Sequence, residues 1–166
     1  MPTHPIPIHA IKGRGSATRH PHRYEALARE GWIDAVLEHD DPWFLPHAGT
    51  PRTQVTTEIA RSIITRNDSP DIGFEQSLNP YRGCEHGCSY CYARPSHSYL
   101  NLSPGLDFET RLVAKVNAAE KLREELARPG YQPRLIAIGT VTDAYQPIER
   151  EWGLTRQVLE VLLEAR

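Results

Sequence analysis

The thiols restrict this chain more than any other feature. Its 3 cysteines are Cys84, Cys88 and Cys91. All fall in one stretch, YRGCEHGCSYCYARPSH, residues 81–97, with the spacing C-x-x-x-C-x-x-C. An odd number of thiols cannot pair off completely, and a redox disulfide between Cys88 and Cys91 leaves Cys84 unexplained. Three thiolates on one short loop are the pattern expected where a single metal centre gathers several ligands. Whatever the chain folds into must turn this loop back on itself.

Composition narrows the setting. The chain has 166 residues, enough for one modest domain with a real core. Lys plus Arg is 19 and Asp plus Glu is 21, so charge alone signals neither a general nucleic-acid surface nor a membrane surface. No apolar run approaches a membrane span, and MPTHPIPIHAIKGRG lacks the apolar centre of a signal peptide. The expectation is a cytoplasmic protein with no membrane partner. In that reducing compartment a cysteine cluster points to a metal site before a disulfide framework.

Two regions are expected. Residues 1–75 read as an extended, partly disordered arm. MPTHPIPIHAIKGRGSATRHPHRYE shows no period, and HDDPWFLPHAGTPRTQ is broken by prolines. A short helix over Arg23–Leu37 and apolar anchors at Trp32, Trp43 and Phe44 are expected within it. Residues 76–166 read as the core. QSLNPY is a strand leading into the cysteine loop, and Thr110–Val116 alternates as a strand does. In NAAEKLREELARPG, Asn117 and Glu120 have capping-box spacing, and Pro129-Gly130 stops the helix. PRLIAIGT is a further strand. EWGLTRQVLEVLLEAR places Leu154, Val158, Val161, Leu162 and Ala165 on one helical face. Strand, loop, helix, strand, loop, helix implies an α/β fold with about two βα units and a parallel sheet. Two units cannot close a barrel, so the chain is expected to be the N-terminal part of a longer α/β protein.

The loop admits two kinds of centre. A structural zinc needs a fourth ligand beside three cysteines, and His86 or His97 could supply it. A cubane cluster with three thiolates leaves one iron open for another ligand.

CEHGCSYC, with aromatic Tyr90 just before the third cysteine, resembles the signature of the radical S-adenosylmethionine enzymes. LNPYRGC, CYARPSH and GTVTDAYQPIER are similar to the branch containing spore photoproduct lyase and related bacterial proteins; the resemblance runs from about Arg61 to Arg166. It implies a partial (β/α) barrel of radical S-adenosylmethionine type. It also implies a [4Fe-4S] cluster on Cys84, Cys88 and Cys91, with S-adenosylmethionine chelating the fourth iron. A 5′-deoxyadenosyl radical would abstract hydrogen from a substrate, with damaged DNA as one candidate, and flavodoxin or ferredoxin would supply the electron. Tyr90 would lie near the adenine or the cluster edge, and Gly87 would permit the bend between Cys84 and Cys88. Gly139, Thr140, Val141, Thr142 and Asp143, after the second strand, would meet the amino group of the bound methionine. They depart from the family's Gly-Gly-Glu-like turn. The lyase uses a further cysteine as hydrogen donor, and this chain has none.

Plainer readings stand beside these. The alternative function is a structural Cys3His zinc module, or a cluster-stabilised one, that binds nucleic acid without catalysis. His86 is expected in solvent. Arg94 is expected to pair with a local carboxylate, and Tyr92, Tyr99 and Tyr145 to pack against the loop. Asp143 is divided between a turn role and a cofactor contact. Lys12, Arg14, Arg19, Arg23, His20 and His22 are expected in a solvated tail.

Overall fold

The computed structural model describes residues 14–16 and 51–165. The expected helix over Arg23–Leu37, the anchors Trp32, Trp43 and Phe44, and Lys12, Arg19, Arg23, His20 and His22 lie outside the described residues.

The described chain is a mixed α/β structure built on two three-stranded sheets. In the first, β5 (Arg111–Lys115) is central. β1 (Gln54–Glu58) lies parallel to it, with Gln54 opposite Arg111, and β4 (Tyr81–Arg82) lies antiparallel on the other side. In the second, β3 (Gln76–Leu78) is central, between antiparallel β2 (Ile64–Arg66) and parallel β6 (Ile136–Ile138). The expected parallel pairing is that of β3 with β6. Their connection includes helix α2 (Ala118–Leu126), as a parallel pair requires a crossover. Neither sheet closes into a barrel.

The boundary expected at residue 75 needs correction. β1 and β2 both precede Gln76 and pair with strands that follow it. Residues 51–75 therefore belong to the packed body. Side chains reinforce this join. Glu125 on α2 accepts hydrogen bonds from the backbone of Ile63 (3.1 Å) and Ile64 (2.9 Å). Asn117 takes the Ala60 N–H at 2.8 Å and donates to the Ala60 carbonyl at 3.0 Å. The capping-box expectation fails for this reason: Asn117 precedes α2, but its amide is spent on Ala60 and makes no side-chain cap bond.

Helices α2 and α4 (Leu154–Glu164) pack together over the β2-β3-β6 sheet. Ala118 and Leu122 from α2, Val158 and Val161 from α4, and Ile63 and Leu78 form the buried centre. Each large apolar side chain buried there contributes about 1.5–3 kcal/mol relative to exposure. A second cluster of Tyr81, Leu112, Ala114, Ile148 and Leu154 joins the β1-β5-β4 sheet to the start of α4. Leu162 is half-buried and Ala165 exposed, so the apolar face of α4 is narrower than its period suggests.

A buried carboxylate fixes that helix start. Glu149, on the short helix α3 (Glu149–Trp152), accepts the backbone N–H groups of Thr155 and Arg156, each at 3.0 Å, and the Tyr81 hydroxyl. Two donors left open by the first turn of α4 are thus satisfied, and negative charge sits at the positive end of the helix.

Candidate functional site

The cysteine loop leaves β4 at Gly83 and runs to a 3₁₀ segment, Arg94–Leu100. The Cys84 N–H donates to the Phe108 carbonyl at 2.9 Å, anchoring the first thiol beside α1 (Asp107–Thr110). Gly87 has φ +65°, so the expected bend is present and needs a residue without a Cβ. The Cys91 N–H donates to the Cys88 carbonyl at 3.2 Å, closing a turn between the second and third thiols.

All three cysteines are free thiols; Cys84 is buried, and Cys88 and Cys91 are partly exposed. Cys84, Ala93 and Phe108 form a small core against which Cys91 and Val141 pack. Burial pushes the Cys84 thiol up. Hydrogen bonds from the backbone of His86 and Asp143 oppose this, while the Asp143 charge and Cys91 add to the rise. The backbone hydrogen bonds favour the charged form of this sulfur, and burial, the larger effect, disfavours it.

Arg94 holds the middle of the loop. Its Nε and a terminal nitrogen donate to the Cys88 carbonyl at 3.1 and 2.9 Å. The same guanidinium pairs with Glu109, which is wholly buried, so the local ion pair expected for Arg94 is present. It also lies over the Phe108 ring, 5.5 Å from its centre.

The turn after β6 folds onto the same loop. The Thr142 hydroxyl donates to the Gly83 carbonyl at 2.6 Å and accepts from Gln146 Nε2 at 3.0 Å. Gln146 Oε1 takes the Glu85 N–H at 3.2 Å. Asn79 holds the other side: its Nδ2 donates to the Thr140 hydroxyl, and its Oδ1 accepts the Val141 N–H, both at 3.0 Å. The Tyr92 hydroxyl donates to the Thr140 carbonyl. Gly139, at φ +78°, starts the turn, where a Cβ would stand 2.9 Å from the Thr142 carbonyl oxygen.

Of the residues singled out from sequence, Cys84, Cys91, Thr142 and Asp143 converge. Tyr90 stands apart, with 88% of its surface exposed. Tyr92, Tyr99 and Tyr145 are exposed as well, correcting the expectation that they pack against the loop. Asp143 Oδ1 accepts the Tyr145 N–H at 2.7 Å, a turn role, and Oδ2 stands 3.5 Å from His86 Nε2. An open groove of about 300 Å³ runs beside Gly139, Asp143, Tyr145 and Leu159.

His86 faces Asp143, and His97 is fully buried with Nε2 2.8 Å from the Arg111 carbonyl oxygen. A carbonyl can only accept, so Nε2 carries the proton. Among the described residues no three His, Cys, Asp or Glu side chains gather as ligands of one ion.

Sequence reasoning assigned no role to Asn79, Glu109 or Gln146. Asn79 and Gln146 lie inside LNPYRGC and GTVTDAYQPIER, so their motifs carried the only available signal. Among the described residues no helix is long and apolar enough to cross a membrane.

No family model matches this chain, and no solved structure matches it. An uncharacterized protein of Mycobacterium tuberculosis is 46% identical over 91 residues, which is 55% of this chain and 27% of that protein. An uncharacterized protein of Mycobacterium bovis matches to the same extent. An uncharacterized protein of Methanocaldococcus jannaschii is 31% identical over 88 residues, 53% of this chain and 31% of its own length. The chain therefore aligns with less than a third of each of these relatives.

Proposed function

We propose that this chain is the cluster-binding part of a cytoplasmic radical S-adenosylmethionine protein similar to the spore photoproduct lyase branch. In this reading β3, α2, β6 and α4 are the first two units of a partial (β/α) barrel. Cys84, Cys88 and Cys91 would hold a [4Fe-4S] cluster, and S-adenosylmethionine would take the remaining iron. The group, when bound, supplies one electron for cleavage of the sulfonium and so yields a 5′-deoxyadenosyl radical for hydrogen abstraction. A flavodoxin or ferredoxin is the proposed electron source, and damaged DNA a candidate substrate.

One observation carries the reading: the turn after β6 is folded against the thiol loop, at the carboxyl end of a parallel strand, where α/β sheets place ligands. The protein's own part is positional. Arg94 orients the Cys88 peptide, Thr142 and Gln146 fix Gly83 and Glu85, and backbone hydrogen bonds favour the Cys84 thiolate. Burial of Cys84 keeps water from that side of the centre.

Anaerobic reconstitution with iron and sulfide tests this. The expected result is bound iron with acid-labile sulfide, lost in each of Cys84→Ala, Cys88→Ala and Cys91→Ala. S-adenosylmethionine should then perturb the electron-resonance signal of the reduced centre. Zinc without sulfide, or a full cluster in any one variant, would overturn the reading in favour of the non-catalytic module.

A further inference from the structure

Arg14 and Gly15 were expected in a solvated tail, yet they lie against the thiol loop. The Gly15 N–H donates to Glu109 Oε2 at 3.0 Å. Glu109 is wholly buried, and its other carboxylate oxygen is paired with Arg94, which grips the Cys88 carbonyl. The Gly15 backbone also packs on Gly87: a Cβ added at Gly15 would fall 1.8 Å from the Gly87 carbonyl oxygen. The approach is equally close from the other side, since a Cβ at Gly87 would meet the Gly15 nitrogen at 2.9 Å. Arg14 makes a second attachment. Its guanidinium donates to the Glu109 carbonyl at 2.8 Å, the Pro51 carbonyl at 3.0 Å and the Thr53 hydroxyl at 3.1 Å. Thr53 in turn donates to Glu85 Oε1.

We infer that Arg14 and Gly15 form a clasp that sets the spacing of the thiols, with Arg14, Gly15, Arg94 and Glu109 as positioning residues. The segment between Cys84 and Cys88 is short and glycine-containing, and it lacks regular structure of its own. It is held at one end through Glu85, by Thr53 and Gln146, and at the other through Gly87 and Cys88, by Gly15 and Arg94. Removing the clasp frees one side of each attachment. A cation and a glycine are both required. The planar guanidinium reaches three acceptors on two segments, which an ammonium cannot span. Only a residue without a Cβ fits against the Gly87 carbonyl. The docking itself is independent of any metal; its consequence for cluster retention rests on the cluster reading proposed above.

The test uses the full chain and begins without metal. Alkylation of Cys88 and Cys91 by iodoacetamide is followed by mass spectrometry in the parent, Arg14→Ala, Arg14→Lys and Gly15→Ala. Gly73→Ala is the control, because a Cβ there meets nothing within 4 Å. Arg14→Ala and Gly15→Ala should raise the Cys88 rate by about tenfold or more, as local opening of the loop becomes easier. Arg14→Lys should fall between, and Gly73→Ala should match the parent. Rates within about twofold of the parent in both Arg14→Ala and Gly15→Ala would overturn the clasp. Hydrogen exchange on the unaltered chain decides the matter even where a variant fails to fold: the Gly15 amide should be protected by about a hundredfold or more, and free exchange overturns the docking. Iron release to a chelator from reconstituted protein then reads the consequence. Failure to form any cluster refutes the functional reading and leaves the clasp to the first two measurements.

Discussion

Thr142→Val separates a brace from a cofactor contact. The hydroxyl of Thr142 is buried, donates to the Gly83 carbonyl at 2.6 Å and accepts from Gln146 at 3.0 Å. Valine keeps the shape and removes both bonds. Gly83 keeps only the longer bond from Gln146, at 3.3 Å. A net loss of about 1 kcal/mol per hydrogen bond, plus the cost of poorly satisfied buried groups, gives about 1–3 kcal/mol in all. For a chain of this size that lowers the melting temperature by about 2–12 °C. The assay is a thermal melt of the metal-free protein, with Thr142→Ser beside it; serine restores the hydroxyl and should recover most of the loss. The rate of Cys84 alkylation should rise with Thr142→Val, because Gly83 immediately precedes that thiol. An unshifted melt in Thr142→Val would refute the brace. A weakened response to S-adenosylmethionine with the melt unchanged would return Thr142 to direct cofactor contact.

Lys115 carries a pH signature. Burial, then the charge of Arg82, lower its ammonium to about 8, with Glu58 opposing. From about pH 8 up to the ordinary lysine value near 10.5 the unfolded state binds more protons at Lys115 than the folded one, so stability should rise with pH in urea melts above pH 8, and Lys115→Met should flatten that slope. The raised thiol of Cys84 offsets this rise from about pH 9, and with the raised phenol of Tyr81 it reverses the trend above about pH 10, since the unfolded state then loses protons that the folded state keeps. Asn117→Ala should cost about 1–2 kcal/mol by urea denaturation through its two bonds to Ala60, whereas Glu120→Ala should stay within about 0.5 kcal/mol. Equal losses would restore the capping box.

The legible parts of the fold are those that local chemistry decides. Strand β6 shows itself as an apolar run closed by glycine, and α2 and α4 by their period and stop signals. Strands β1 and β2 are short and fall in the part read as an arm, although QVTTE and SIITR are rich in β-branched residues. What makes them strands is pairing with residues far along the chain, Gln54 with Arg111 and Ile64 with Leu78. No window of sequence contains that information. Asn117 illustrates the same competition at one residue, its capping amide captured by Ala60. The site divides along the same line. Spacing alone singles out the thiols, and the resemblance adds Gly87. Glu109 looks like any residue of DFET, and its importance comes from a buried carboxylate shared by Gly15 and Arg94.

That division bears on how the turn after β6 could receive a ligand. Three side-chain acceptors were expected to face an ammonium group there. The Thr142 hydroxyl is buried and already donates and accepts within the loop. The Thr140 hydroxyl is engaged by Asn79. Of the three, Asp143 alone is exposed, and one of its oxygens is tied to the Tyr145 N–H. The remaining Asp143 oxygen lies nearest His86, at 3.5 Å, on the thiol loop itself. A bound ammonium would therefore compete with His86 for that oxygen. The Thr142 hydroxyl holds the thiol loop in place, so under the proposed reading an ammonium would be left one carboxylate oxygen and the backbone.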